Sequence, residues 1–368
     1  MPSWFRRLLL PGLAFKAVVI GGGYATGREL AEFFLPAGPW GGIAAMALAT
    51  VIWSVVCLTT FRFARANAAW DYLTFVRALL GPLWIVFEIS YLLFVVLVLA
   101  VFGAAAGAIG AAVLGVPTFV GTLVLVAAIA LATAYGNPSV ERVFTWVSFL
   151  LYGVYALFLL LALSHFGARI AHGFAAHVPA HGWALDGVTY ASYNIVGAIT
   201  ILPVLRHLSS DRDAVVAGLL AGPLAMLPAL LFFSCMMAYY PQIGAVTLPS
   251  DFLLQRLNLP LFRLLFQLMI FGALLESGTG SVHSINERIG TEWRRRRGEP
   301  LPHGVRLCMA LVILATCMFL AQRFGLVTLI ARGYRALAAV FLLVYVVPLL
   351  TIGVFRLWRR KGGRQEAS

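Results

Sequence analysis

Apolar runs of about twenty residues, each long enough to cross a bilayer as a helix, recur along the whole chain with short polar turns between them. They predict ten spans: 12–35, 39–61, 82–114, 118–136, 141–163, 187–207, 213–238, 258–289, 303–321 and 334–357. Two of these runs are interrupted. In the first, Gly21-Gly22-Gly23-Tyr24-Ala25-Thr26-Gly27 breaks the apolar stretch, and each glycine costs a continuous helix about 1 kcal/mol relative to alanine. The sixth reads Asp186-Gly187-Val188-Thr189-Tyr190-Ala191-Ser192-Tyr193-Asn194-Ile195-Val196-Gly197, with Pro203 beyond. Backbone groups freed inside a membrane must line a cavity or contact protein. Interrupted segments at corresponding places in two halves point to a binding site at the midplane. The third and eighth runs are the long members of their halves. The pattern therefore predicts an all-α polytopic membrane protein forming one transmembrane domain, 1–368. It is divided into a five-plus-five inverted repeat, 12–163 and 187–357, and an odd number of spans per half is what inverts the second copy.

Composition agrees: 61% of residues are hydrophobic, 11% are charged and the mean hydropathy is +0.92, where a soluble domain carries about 25% charged residues. The net charge of +13 would suit nucleic acid if it were concentrated on one face. Instead the basic residues gather in alternate turns, at Arg6/Arg7, Arg62/Arg65/Arg77, Arg206/Arg212, Arg294 to Arg297 and Arg356 to Arg364. That is the positive-inside pattern. It places both termini in the cytoplasm and the His165 to Asp186 loop outside, and it makes the partner a lipid bilayer rather than nucleic acid. Cys57, Cys235, Cys308 and Cys317 all fall in apolar runs and read as free thiols. Pro11 and Lys16 interrupt the first run and no cleavage site follows, so no cleaved signal peptide is expected. No metalloprotease, Walker or nucleophile-elbow motif is present, which argues against an enzyme. The spacing of His165, His172, His177 and His181 fits no zinc pattern. No cofactor is implied beyond a coupling ion, Na⁺ or H⁺. Oligomeric state is not encoded in these features.

The first break carries the binding chemistry. A second half-helix starting near Tyr24 to Thr26 points amide hydrogens and a positive dipole end at the break, which favours an anion such as a carboxylate. Carbonyls freed near Ile20 to Gly22 favour a cation. Gly21, Gly22, Gly23, Tyr24, Ala25 and Thr26 together suit a zwitterion or a co-transported ion; the competing reading is a glycine-rich seam for close helix packing. On the sixth run Ser192, Tyr193 and Asn194 can add neutral hydrogen bonds. Glu276 lies 12 residues before Arg288, roughly 18 Å along a helix, at a depth where a carboxylate is expensive and usually functional. It can bind a proton, balance a cation or simply bond a freed amide. Lys16 is placed to snorkel to the cytoplasmic interface. Glu88 can pair with Lys16 or act as a relay in the inner vestibule.

The stretch Gly22-Gly23-Tyr24-Ala25-Thr26-Gly27-Arg28-Glu29-Leu30 with Glu32-Phe33-Phe34, and the run Glu276-Ser277-Gly278-Thr279-Gly280 with His283 and Asn286-Glu287-Arg288, resemble YkvI-type bacterial membrane proteins. That family is similar to the amino acid-polyamine-organocation superfamily, with the fold of the bacterial leucine transporter, and the resemblance implies a bacterial cytoplasmic membrane. It also implies a sodium position near Ser277, Thr279 or Gly280, with Glu276 beside them; His283, seven residues from Glu276, is a gate or relay candidate along with Arg28, Glu32 and Glu88. In similar transporters an arginine at the place of Arg28 forms an outer gate with an acid of the tenth helix. This chain has no acid between Tyr334 and Phe355, which makes Glu32, four residues along, the nearer partner. The expectation is a secondary transporter of a small, amino-acid-like solute driven by Na⁺ or H⁺. The alternative is a solute-sensing receptor or channel on the same scaffold.

Overall fold

The computed structural model describes residues 4–135, 138–299 and 301–365, and the side chains of all of these but 22, 134–152, 287, 291, 292, 295, 296, 303 and 360–365. Every regular element among them is helical. The first expected span is built from three pieces, α1 (Leu10–Val19), α2 (Gly22–Ala25) and α3 (Arg28–Phe33). The helices α4 (Gly38–Ala66), α5 (Tyr72–Leu80), α6 (Trp84–Leu114), α7 (Thr118–Tyr135) and α8 (Pro138–Phe174) complete the first half. The second half opens with α9 (Trp183–Asn194) and α10 (Gly197–Thr200), followed by a 3₁₀ stretch to His207. It continues with α11 (Asp211–Met236), α12 (Pro249–Leu257), α13 (Pro260–Arg297) and α14 (His303–Thr328). The chain then winds through π-helical turns around α15 (Arg335–Phe341) and ends in α16 (Val354–Gln365). Among the described residues, six helices are long and apolar enough to cross a membrane, so the protein is a multi-pass membrane protein.

Two elements were not expected. The helices α5 and α12 have nine residues each and lie immediately before the two long helices α6 and α13. Each stops on a left-handed residue, Gly81 (φ 58°) and Asn258 (φ 54°), and the next helix begins at or near a proline, Pro82 or Pro260. A left-handed C-terminal residue and a proline in the following first turn stop one helix and start another. The fifth helix is also longer than its apolar run. It continues to Phe174, so His165 and His172 sit on helix and the predicted loop shrinks to the segment around 175–182.

Packing is closest between α4 and α11. A Cβ added at Gly218 would lie 2.3 Å from Leu58 Cα, and one at Gly222 would lie 2.4 Å from Ser54 Oγ. Small residues at this four-residue spacing let two membrane helices approach backbone to backbone. Around that pair α1 packs on α11 and α9 packs on α4, while α6 packs on α13. The two broken segments, α1–α3 and α9–α10, are thereby held side by side in the middle of the molecule.

Candidate functional site

The break in the first span begins at Ile20, whose ψ of 78° ends α1. It closes at Gly27, whose φ of 78° is left-handed and would strain any residue with a Cβ. Between them, Thr26 Oγ1 donates to Gly23 O at 3.0 Å, a side-chain bond that pins the short turn. The second break lies between Asn194 and Gly197. There Trp53 of α4 donates its indole N–H to Ala191 O at 3.1 Å, and Asn194 Nδ2 donates to Tyr190 O at 3.2 Å. A Cβ on Gly197 would meet Val18 and Phe15 of α1 at 3.2–3.3 Å, so the second break rests on the helix that leads into the first.

A residue outside the predicted set joins them. Glu29, in the first turn of α3, is only 3% exposed. Tyr193 of α9 donates its hydroxyl to Glu29 Oε2 at 2.7 Å. The same carboxylate reaches back over the break: a Cβ on Gly23 would fall 2.2 Å from Glu29 Oε1, and the backbone amide of Tyr24 faces it. An amide-lined turn favours a carboxylate, and here the chain supplies its own. Around Glu29 stand the fully buried rings of Tyr24, Tyr190 and Phe33 and the stacked pair Tyr193–Tyr334, with ring centroids 4.4 Å apart. Phe33 lies 5.7–5.8 Å from Tyr190 and Tyr193. The hydroxyls of Tyr24 and Tyr190 are buried and have no hydrogen-bond partner among the described residues.

Two charged clusters lie beyond this centre, one toward α12 and one toward α5. On the α12 side, Arg28 is 5% exposed. It donates to Gly244 O and Val246 O at 2.8 and 3.0 Å and to Glu32 Oε2 at 3.1 Å. Arg335 of α15 reaches Glu32 Oε1 at 3.5 Å and Asp186 Oδ1 of α9 at 2.9 Å. The first turn of α12 is fastened to the break itself, since Ser250 N–H donates to Thr26 O at 3.0 Å. Buried Asp251 then accepts from Arg263 and Gln267 of α13 at 2.7 and 3.0 Å. On the α5 side, Glu88 of α6 accepts from the Tyr72 hydroxyl and pairs with Arg288 of α13 at 3.5 Å. The Arg288 guanidinium lies 3.6 and 3.8 Å from the ring centres of Tyr72 and Tyr91, an arrangement in which ring quadrupoles attract the cation.

The structure brings together Gly21, Gly23, Tyr24, Ala25, Thr26 and Tyr193; Gly21 faces Phe102 of α6, and α13 packs on α2. Ser192 is buried but bonds its own helix, donating to Val188 O. Arg28 and Glu32 do pair, and the tenth span supplies a base, Arg335, where similar transporters are expected to carry an acid. Glu88 is held by Tyr72 and Arg288. On α13, Glu276 and Thr279 are half-buried, whereas Ser277, Gly280 and His283 are exposed. The side that packs inward there carries Gly278, against Leu99 of α6 and Ile129 of α7; Thr279 donates to Leu275 O. Among the described residues no cluster of His, Cys, Asp and Glu is arranged to hold a metal ion.

No family model matches the chain, and neither does any curated protein. Solved structures do. A manganese transporter of Eremococcus coleocola aligns with a TM-score of 0.60 at 14% identity, over 92% of this chain and 77% of that one. A Na⁺-coupled sialic acid symporter in a substrate-bound outward-open state aligns at 0.61 and 14%, over 96% and 79%. MhsT in complex with L-phenylalanine aligns at 0.53 and 15%, over 95% and 96%. The chain thus has a leucine-transporter-like fold, shared with transporters of unlike cargo. The YkvI-type relationship rests on the two sequence motifs alone.

Proposed function

We propose that the protein is a secondary active transporter that moves a small organic solute across the bacterial cytoplasmic membrane by alternating access, coupled to Na⁺ or H⁺. The observation that carries this is the meeting of two broken helices at a buried centre, with a separate charged cluster toward each side. A channel needs a continuous path; this arrangement offers two sets of contacts to break in turn. The three fold relatives are a manganese transporter, a sialic acid symporter and a phenylalanine-binding protein, which supports transport and leaves the cargo open.

In this reading the chain crosses the membrane ten times in a five-plus-five inverted repeat. The packing supports it, because exchanging each span with the one five places later maps contacts onto contacts. The pair α1–α11 becomes α9–α4, α6–α14 becomes α13–α7, α6–α15 becomes α13–α8, and α6–α7 becomes α13–α14. The unexpected nine-residue helices α5 and α12 are counterparts under the same exchange. The basic turns then put α5, Glu88, Arg288 and both termini on the cytoplasmic side, with α12, Arg28, Glu32, Arg335 and Asp186 outside. Glu276 and Thr279, half-buried on α13, are the candidates for coupling. Ser277, Gly280 and His283 would join them only after a rotation of α13 that turns their face inward.

Counterflow in proteoliposomes tests this. Vesicles loaded with unlabelled solute should transiently accumulate labelled solute above its outside concentration. A sensor on the same scaffold would bind the solute and give no counterflow, and a channel would equilibrate the label without overshoot.

A further inference from the structure

We infer that the transported solute is a protonated amine without a carboxylate group, and that Glu29 is its counter-ion. This rests on the transporter reading and deepens it. An amino-acid-like solute would have to place its carboxylate against the amides of the first break. That place is filled from within: Glu29 Oε1 occupies the space over Gly23, the Tyr24 amide faces the same carboxylate, and Tyr193 donates to Oε2 at 2.7 Å. A second carboxylate brought there would meet like charge at contact distance, whereas an ammonium would meet an opposite one.

The surroundings favour the same class. Five aromatic side chains, Tyr24, Phe33, Tyr190, Tyr193 and Tyr334, enclose Glu29, and all are at most 3% exposed. Ring faces beside a carboxylate are the environment that holds organic ammonium groups. The hydroxyls of Tyr24 and Tyr190 are buried and unpartnered among the described residues. Buried polar groups of this kind are costly until something satisfies them, and an ammonium has N–H groups to donate to phenol oxygens besides the stronger bond it makes to a carboxylate. The cation already present in the molecule follows the pattern: Arg288 sits between two tyrosine rings beside Glu88. The centre therefore reads as a cation cage that opens when Arg335 and Arg28 release the outer closure.

The test compares each amino acid with the amine it yields on losing its carboxyl group and with the matching alcohol: phenylalanine, phenethylamine and phenylethanol; leucine, isoamylamine and isoamyl alcohol; ornithine and putrescine. Binding to the purified full-length protein in detergent is read by thermal shift and calorimetry. At least one amine should bind ten times more tightly than both its amino acid and its alcohol. The variant Glu29→Gln should lose that preference for amine over alcohol. If Glu29→Gln does not fold, Tyr193→Phe keeps the carboxylate, removes its hydrogen bond and should still prefer the amine. An amino acid binding as tightly as its amine, an alcohol binding as tightly as the amine, or no amine binding at all overturns the inference. Because binding is measured without a membrane, its failure is separable from a failure of counterflow, which would instead remove the transporter reading.

Discussion

Gly23→Ala is the smallest change that separates a working break from a packing seam. The added Cβ would lie 2.2 Å from Glu29 Oε1, 2.8 Å from its Cγ and 2.9 Å from its Cδ. Ordinary contact begins near 3.4 Å, so the whole carboxylate must move by about 1 Å. That displaces Glu29 from a 2.7 Å bond to Tyr193. A hydrogen bond to a charged group contributes about 1.5–3 kcal/mol, and crowding a packed centre costs about 1–3 kcal/mol. Alanine's helix propensity returns about 1 kcal/mol. The expected result is a net loss of stability of about 1.5–5 kcal/mol, with solute affinity down at least tenfold, since every 1.4 kcal/mol is a factor of about ten. The control is Gly167→Ala on α8, where the new Cβ meets no atom within 4 Å; its affinity and melting temperature should stay at or slightly above wild type. Calorimetric titration of both variants, each first shown monodisperse by size exclusion, decides the matter. Wild-type affinity in Gly23→Ala would refute the claim that Glu29 is seated over the break.

Arg335→Ala removes the cation between Glu32 and Asp186, so a cysteine at Tyr334 in a cysteine-free background should react with maleimide at least ten times faster than in the unaltered closure; equal rates would deny that Arg335 holds that side shut. Gly218→Ala pushes a methyl to within 2.3 Å of Leu58 Cα, and should lower stability by about 1–3 kcal/mol without altering ligand preference, as followed by thermal unfolding in detergent. A cysteine at exposed Ala175 should label with an impermeant maleimide in whole cells, and labelling only after lysis would reverse the assigned orientation.

Both breaks were legible because glycine clusters and a proline are conspicuous inside apolar runs. The Arg28–Glu32 pair was legible from its four-residue spacing. Glu29 was not, because it sits between two charges that read as an outer gate. Its own signal was angular: one residue on from Arg28 is about 100° around a helix, which turns Glu29 away from the Arg28–Glu32 face and toward the other broken helix. The sequence offers its partner Tyr193 only as a neutral hydrogen-bonding group, but 164 residues separate the two, and no local periodicity links them. The short helices were missed because nine residues are too few to register as spans. Their apolar faces, Phe75/Val76/Leu79 and Leu253/Leu254/Leu257, were nevertheless at helical spacing. On α13, the family resemblance implies a sodium position near Ser277, Thr279 or Gly280, whereas the residue that packs inward against Leu99 and Ile129 is Gly278, which no spacing along the helix singles out.

The central claim is that the two broken helices form a solute site served alternately from the two sides and driven by an ion. Uptake of labelled solute into proteoliposomes under separately imposed Na⁺ and pH gradients tests it most directly. One of the two gradients should drive accumulation above the outside concentration and should collapse when that gradient is dissipated, with Glu276→Gln losing the uphill phase but keeping exchange. Uptake that only equilibrates, at a rate indifferent to either gradient, would contradict the account.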